Sequence, residues 1–330
     1  MKTAVIGLGN MGTALAHLLA DNGHWVRGWD PFAQTVADIQ QNHVNSRYLP
    51  GVTLPGLVTA DGSLSHVLAE AELVLLAVPS PFLRETLLKL KGPLLPQAVV
   101  VGTAKGLDPA TGQRQSQVYA QVLSRRPESY VALSGPSMAN EFARRNPCAV
   151  TLASTGRPSL QLAAVALQND YFRVELEGDL TGVEWGGILK NIYAIGLGIL
   201  DGLHPLASNA KAIFTTLALR EMKALAVPWG AEAKTLEGLS GLGDLVTTGF
   251  SPDSHNRRLG EWMGQGLSLL EAVEKVGGLE PEGVRAVQQA LILAKAGTAP
   301  LAEAIYRFLF DPPSRPKFQS DIWKVAAPGA

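Results

Sequence analysis

Residues 3–16 read TAVIGLGNMGTALA. An apolar run, TAVIGL, enters three glycines spaced G-x-G-x-x-G (Gly7, Gly9, Gly12), and a helical pattern, TALAHLLADNG (13–23), follows at once. That spacing has a mechanical meaning. One glycine permits a tight turn, one lets backbone approach a pyrophosphate, and one lets helix and strand pack closely, while the helix N-terminus turns its positive dipole end toward the phosphates. Three glycines are a weak signal in a chain with 34 of them, but the strand before, the helix after and Asp30 at the end of the next strand give them context. Two readings of Asp30 stay open. Its carboxylate accepts from a ribose 2′-OH, which favours NAD over NADP, or it caps the helix that follows Pro31.

Working outward, the runs HWVRGW (24–29), ELVLLAVP (72–79), AVVVGT (98–103), YVALS (130–134), AVTLAS (149–154) and YFRVEL (171–176) read as strands bounded by Gly, Pro or polar turns. Several are apolar throughout rather than alternating, as expected where helices cover both faces of a sheet. Strand, helix, strand in repetition predicts a Rossmann-type α/β domain, a doubly wound parallel sheet, over residues 1–180. Beyond it the texture becomes helical, with patterns at 183–203, 209–226, 232–238, 255–264, 268–276, 282–296 and 300–309. An all-helical C-terminal domain is therefore expected over 181–330, with the boundary near 178–182. The Pro-rich tail after Asp311 reads as loosely held.

Composition narrows the function classes. A chain of 330 residues with 46% hydrophobic and 17% charged residues is long enough for two cored domains and is ordinary for a globular protein. A formal net charge of −1 makes no electrostatic case for nucleic acid or an anionic membrane. Cys148 is the sole cysteine, which excludes an intrachain disulfide and suits a reducing cytoplasm. The opening MKTAVIGLGNMG lacks the pattern of a signal peptide. The longest charge-free apolar stretches, LVLLAVPSPFL (73–83) and NIYAIGLGIL (191–200), fall short of the roughly 18 residues a membrane span needs. No metal-binding set is expected.

Four segments carry chemistry. In GILKNIYAIGLGIL (187–200), Lys190 is the only charge. Either it snorkels to water along its stem, or it is desolvated, which eases release of its proton and suits a general acid/base. Lys105 follows a strand in VVVGTAKGL (99–107), at the carboxyl edge where open α/β sheets bind ligands; the plainer reading is a surface lysine. LSGPSMANEF (133–142) leads into a helix whose N–H groups suit an anion, unless Ser137 only caps it. GLSGLGDLVTTGFSPDSHNRR (238–258) is a glycine-rich helix connection bearing Asp244, Thr248, Ser254, His255 and Asn256, where Asp244 is alternatively a cap.

The segments GLGNMGTALA, AVPS, TAKGL, SGPSMA, GVEWGGILKNIYAIGLGILDGL and GLSGLGDLVTT…SHNRRLG occur in an order and spacing that resembles the bacterial-type NAD(P)-dependent glycerol-3-phosphate dehydrogenases, over roughly residues 3–290. The resemblance implies reversible hydride transfer between NAD(P)H and dihydroxyacetone phosphate, giving sn-glycerol 3-phosphate for phospholipid synthesis. It implies Lys190 as catalytic acid/base, supported by Lys105 and Asp244. It implies substrate contacts at Lys105, Gly135, Ser137, Lys190, Asp244, Ser254, His255 and Asn256. Beside the glycines Gly7, Gly9 and Gly12 already read from their spacing, it implies cofactor contacts at Asn10, Met11, Lys105, Ala139, His255, Glu280 and Glu282. A homodimer is compatible with the sequence, which does not itself fix the oligomeric state.

Three departures from the family's pattern concern the substrate phosphate. His255 stands where S-R-N usually has arginine, Leu217 stands where the preceding helix usually has another, and the connection DGLHPLASNAK is one residue longer. Histidine lacks the guanidinium's bidentate fork. Arg257, Arg258 and Lys211 are the nearby cations left to supply charge. Two other readings remain open here: a dehydrogenase of the same architecture for another small hydroxy acid or phosphorylated ketone, and a catalytically silent NAD-binding sensor.

Overall fold

The computed structural model describes residues 1–205 and 208–326. They form two units: Met1–Ala104 with Asp108–Leu180, and Lys105–Leu107 with the chain from Thr181 onward. In the first unit the strands are β1 (Lys2–Ile6), β2 (Trp25–Trp29), β3 (Val44–Asn45), β4 (Leu49–Thr53), β5 (Val58–Asp61), β6 (Leu73–Leu76), β7 (Val99–Gly102), β8 (Tyr130–Ser134), β9 (Cys148–Ala153) and β10 (Phe172–Glu177). Eight of them make one sheet in the order β10-β9-β8-β7-β6-β1-β2-β5. From β1 the chain builds outward through β2, then returns to pair β6 against the other edge of β1. Ligand crevices of doubly wound sheets open at such a reversal, outside the carboxyl ends of the strands.

The sheet is parallel as expected, with one correction: β9 runs antiparallel to β8, pairing Ala132 with Ala153 and Ser134 with Thr151. A single turn of helix, Ala139–Phe142, joins them, too short for the crossover a parallel pair needs. Three strands were not foreseen. Their segment, from Val44 to Asp61, carries Pro50, Gly51, Pro55 and Gly56, which break the periodicity that marks a strand. β3 and β4 form a separate antiparallel hairpin, and β5 closes the sheet beside β2.

In the second unit, helix Leu180–Leu203 is the central element, and Ile188, Ile192, Ile195 and Ile199 are all buried along it. It packs against helix His255–Gly264 almost backbone to backbone: a Cβ on Gly198 would stand 1.9 Å from the Arg257 carbonyl oxygen. The connection 201–211, read as one residue longer than the family's pattern, includes positions 206–207, which lie outside the described residues, as do 327–330 of the tail.

The rest of the tail is a second correction. Pro312–Lys317 forms a 3₁₀ segment and Phe318–Ala326 a helix, with Phe318 and Ile322 buried and the Phe318 ring 5.2 Å from that of Phe308. The prolines end one helix but leave the next with apolar residues at i and i+4, enough to dock it.

One buried carboxylate in this unit does purely structural work. Glu221 accepts the N–H groups of Leu301 and Ala302 at 2.8 Å each, at the start of helix Pro300–Phe310, and the Tyr193 hydroxyl at 3.0 Å. Burial pushes its carboxyl up to about 7 from an ordinary 4.5. The folded state therefore holds this proton more tightly than the unfolded chain, so Glu221 costs stability as pH rises from about 4.5 to about 7. Urea unfolding at pH 5 and pH 8 should show wild type losing up to about 3 kcal/mol more than Glu221→Gln across that interval. Equal losses in both proteins would contradict the raised carboxyl.

Candidate active site

The middle of helix Leu180–Leu203 offers no water to Lys190. Its side chain is 7% exposed, so the snorkelling alternative fails on geometry. Nζ lies 3.0 Å from Asp244 Oδ1 and donates to Thr248 Oγ1 at 2.6 Å. Asp244 Oδ2 takes Lys105 Nζ at 2.5 Å, and the Thr248 hydroxyl donates to Asp244 Oδ1 at 3.0 Å. One carboxylate thus stands between two ammonium groups, and the ensemble carries a net positive charge.

The glycine-rich segment supplies the carboxylate by a local device. It is not a plain connection: Leu239–Gly243 makes a π-helical turn, and Asp244–Phe250 continues as α-helix. Asp244 and Thr248 sit one turn apart on that helix, so both side chains meet the same ammonium. Asp244 is the first residue of the helix rather than its cap, which is Gly243.

The charges set one another's proton affinities. Desolvation lowers Lys190 to about 8 from 10.5; Asp244 opposes the fall and the like charge of Lys105 adds to it. Burial works against ionising Asp244, yet Lys105 and then Lys190 hold it down to about 2. The result is a lysine that exchanges its proton near neutral pH beside a carboxylate that stays charged.

A chain of amides fixes the surrounding backbone. Asn191 Nδ2 donates to the Lys105 carbonyl at 2.9 Å, Asn256 Nδ2 donates to Asn191 Oδ1 at 3.0 Å, and the Gly283 N–H donates to Asn256 Oδ1 at 3.0 Å. Thr248 was named in the sequence without a role, and Asn191 was not singled out, although it directly follows Lys190 in L-K-N. Glu282 opens helix Glu282–Leu293 near enough for its charge to favour the Lys190 ammonium, while Glu280 is exposed and 3.7 Å from Arg285.

Ser254 caps helix His255–Gly264 by accepting the Arg257 N–H. His255 follows, its ring reaching solvent but crowded enough that desolvation, and then the Arg258 charge, lower its pKa below 6.5. The cations considered as substitutes for the family arginines are engaged elsewhere. Arg257 Nε and Lys211 Nζ both bind Asp201, at 2.7 and 2.9 Å, and Arg258 donates to the Lys275 carbonyl. Leu217 is buried in the helical core.

In the sheet unit, helix Asn10–Asp21 starts at Gly9 with no side-chain cap. A Cβ on Gly12 would stand 1.8 Å from the Gly7 carbonyl oxygen, so only glycine fits there; a Cβ on Gly9 would meet nothing within 4 Å. Open space over Gly9 and an uncapped helix end suit a pyrophosphate. Asp30 is 5% exposed and accepts the Leu8 N–H on Oδ2 (2.9 Å) and the Phe32 N–H on Oδ1 (3.0 Å), so it braces the glycine turn; helix Ala33–Asn42 has Phe32 as its N-cap. Asn10 Nδ2 donates to the Tyr48 carbonyl and to Asn140 Oδ1, and Met11 packs on the sheet's core. At the end of β8, Ser137 is buried and donates to the Gly135 carbonyl rather than capping; Ala139 begins the four-residue helix, a smaller anion platform than the sequence implied.

The family model for NAD-dependent glycerol-3-phosphate dehydrogenases matches this chain over residues 2–159 for its N-terminal part and 179–316 for its C-terminal part. The chain belongs to that family. A glycerol-3-phosphate dehydrogenase [NAD(P)+] of Geobacillus thermodenitrificans is 41% identical over 93% of this chain and 90% of its own length. One from Bacillus thuringiensis is 40% identical, covering 94% and 92% respectively. Among solved structures, the glycerol-3-phosphate dehydrogenase of Coxiella burnetii superposes with a TM-score of 0.89 at 35% identity, covering 98% of each chain. The chain is an NAD(P)-dependent oxidoreductase of this kind, and among its described residues no helix is long and apolar enough to cross a membrane.

Proposed function

We propose that this dehydrogenase reduces dihydroxyacetone phosphate to sn-glycerol 3-phosphate, and runs the reverse reaction, with Lys190 moving the proton. The observation that carries this is the buried Lys190–Asp244–Lys105 cluster. When bound, the nicotinamide cofactor supplies or accepts the hydride at the substrate carbon; the glycine turn and the uncapped helix Asn10–Asp21 are the residues that would hold its pyrophosphate. In reduction, Lys190 gives its proton to the ketone oxygen as negative charge gathers there. Lys105 adds positive potential and polarises the same oxygen. Asp244 aligns both ammonium groups and keeps Lys190 protonated up to about pH 8. In oxidation the neutral Lys190 amine takes the hydroxyl proton.

Asp30 favours NADH through the charge it places at the end of β2, where a 2′-phosphate would be repelled. Because both its oxygens already accept backbone N–H groups, this preference is electrostatic. The same reading makes the chain a cytoplasmic, homodimeric enzyme of glycerophospholipid precursor synthesis.

The substrate phosphate is read by the start of helix His255–Gly264, through Ser254, His255 and Asn256. At pH 7 His255 is neutral and offers a hydrogen bond without charge. Steady-state kinetics with dihydroxyacetone phosphate test this. His255→Arg should lower KM through an interaction worth about 1.5–3 kcal/mol, with kcat changing less. Wild-type KM should worsen as pH rises through the histidine's lowered range and then level off. An unchanged KM in His255→Arg would move the phosphate away from this helix.

A further inference from the structure

The hairpin of β3 and β4 is pinned to the glycine turn by three side-chain hydrogen bonds. Asn45, 1% exposed, donates from Nδ2 to the Leu8 carbonyl at 2.7 Å and to Thr13 Oγ1 at 2.8 Å. Asn10 donates to the Tyr48 carbonyl at 2.6 Å, and the Tyr48 N–H returns to Asn45 Oδ1 at 3.2 Å. Held between these anchors is Arg47. Its Cζ lies 5.5 Å from the Phe32 ring centroid and 4.9 Å from that of Tyr48. Phe32 is itself fixed, since its N–H is held by Asp30 at the end of β2.

Arg47 is therefore an exposed cation whose guanidinium lies over two rings, and among the described residues no carboxylate pairs with it. Stacking restricts the guanidinium's rotamers, which lowers the cost of the hydrogen bonds it makes to a ligand. Its position beside the end of β2 matters chemically. In a doubly wound dinucleotide domain the adenosine ribose lies there, and an arginine near that point accommodates a 2′-phosphate. Asp30, the group that would repel such a phosphate, is buried with both oxygens engaged by backbone. The exposed charge at this corner is positive.

We propose that Arg47 recognises the 2′-phosphate of NADPH, so that the chain takes both coenzymes: Asp30 disfavours the phosphate and Arg47 offsets it with a bidentate, charge-assisted contact. The inference rests on the dinucleotide reading of the glycine turn, and binding rather than turnover is what tests it.

NADH and NADPH are titrated separately into the purified full-length protein by calorimetry, using wild type, Arg47→Ala and Arg47→Lys. Wild type should bind both, with the NADPH affinity falling more steeply with added salt. Arg47→Ala should weaken NADPH by roughly 10- to 100-fold, the range of a charged hydrogen-bonded contact, and NADH by less than about threefold. Arg47→Lys should recover part of the NADPH loss, since a point charge replaces the fork. Equal weakening of both coenzymes by Arg47→Ala would overturn the proposal, because the guanidinium would then be stacking on adenine. No change in either would overturn it too. Failure of wild type to bind NADH would overturn the reading of the glycine turn, and this inference with it.

Discussion

Lys190→Met is expected to slow hydride transfer from NADH to dihydroxyacetone phosphate by roughly 10²–10⁴, the usual contribution of a positioned acid/base. The substitution matches the lysine stem in length and leaves the fold intact. Asp244 keeps its contact with Lys105 and its hydrogen bond from Thr248, so no buried charge is stranded. A buried ammonium that desolvation already disfavours is removed, so unfolding free energy should stay within about 1.5 kcal/mol of wild type. Coenzyme affinity should not move, because the glycine turn belongs to the other unit. Stopped-flow absorbance of NADH in a single turnover separates the chemical step from binding. Near-normal turnover in the folded variant would remove Lys190 from the mechanism.

The second large effect concerns Asp244. Its charge is what opposes the desolvation of Lys190, while Lys105 pushes the same way as burial. Asp244→Asn should therefore drop the lysine's pKa below about 8, shrinking the share of the acid form at neutral pH. Ketone reduction should fall at pH 7 and recover as pH is lowered. The reverse direction should be affected less, since it needs the neutral amine. Removing one partner from a buried charge cluster also leaves two ammonium groups facing each other, at a cost of about 3–5 kcal/mol in unfolding free energy. That loss depends on pH with a definite sign. The Asp244 carboxyl sits at about 2 in the fold against 3.8 ordinarily, so its stabilisation is complete above pH 3.8 and fades as pH falls through 2. A variant whose reduction profile stays put would show that Asp244 does not set the lysine's proton affinity.

Much of this site was legible before the fold, and the reason is chemical. A lysine in the apolar run GILKNIYAIGLGIL has no cheap explanation, and the glycines flanking Asp244 mark backbone that must turn tightly. Those signals are local in the chain. What escaped, the role of Thr248 and the presence of Asn191, depends on partners distant in sequence. Thr248 matters because it faces Lys190, 58 residues away, and Asn191 because it reaches the Lys105 carbonyl, 86 residues away. Arg47 escaped for another reason. Its hairpin is broken by Pro50 and Gly51, and nothing near it in sequence announces that Phe32 will lie under its guanidinium. Asp30 was visible as a residue, but its engagement by the Leu8 and Phe32 N–H groups was not. The helix at Phe318–Ala326 was hidden by the prolines before it, although its own apolar spacing carries it.

The proposed mechanism stands or falls on whether a desolvated Lys190, poised by opposing charges, transfers the proton. Its most direct test is the pH dependence of single-turnover hydride transfer, measured in both directions in wild type and in Lys190→Met. One ionisation near pH 8 is expected in wild type, with reduction falling and oxidation rising as pH increases through it, and no such ionisation in the residual rate of the variant. The same ionisation persisting in Lys190→Met would contradict it.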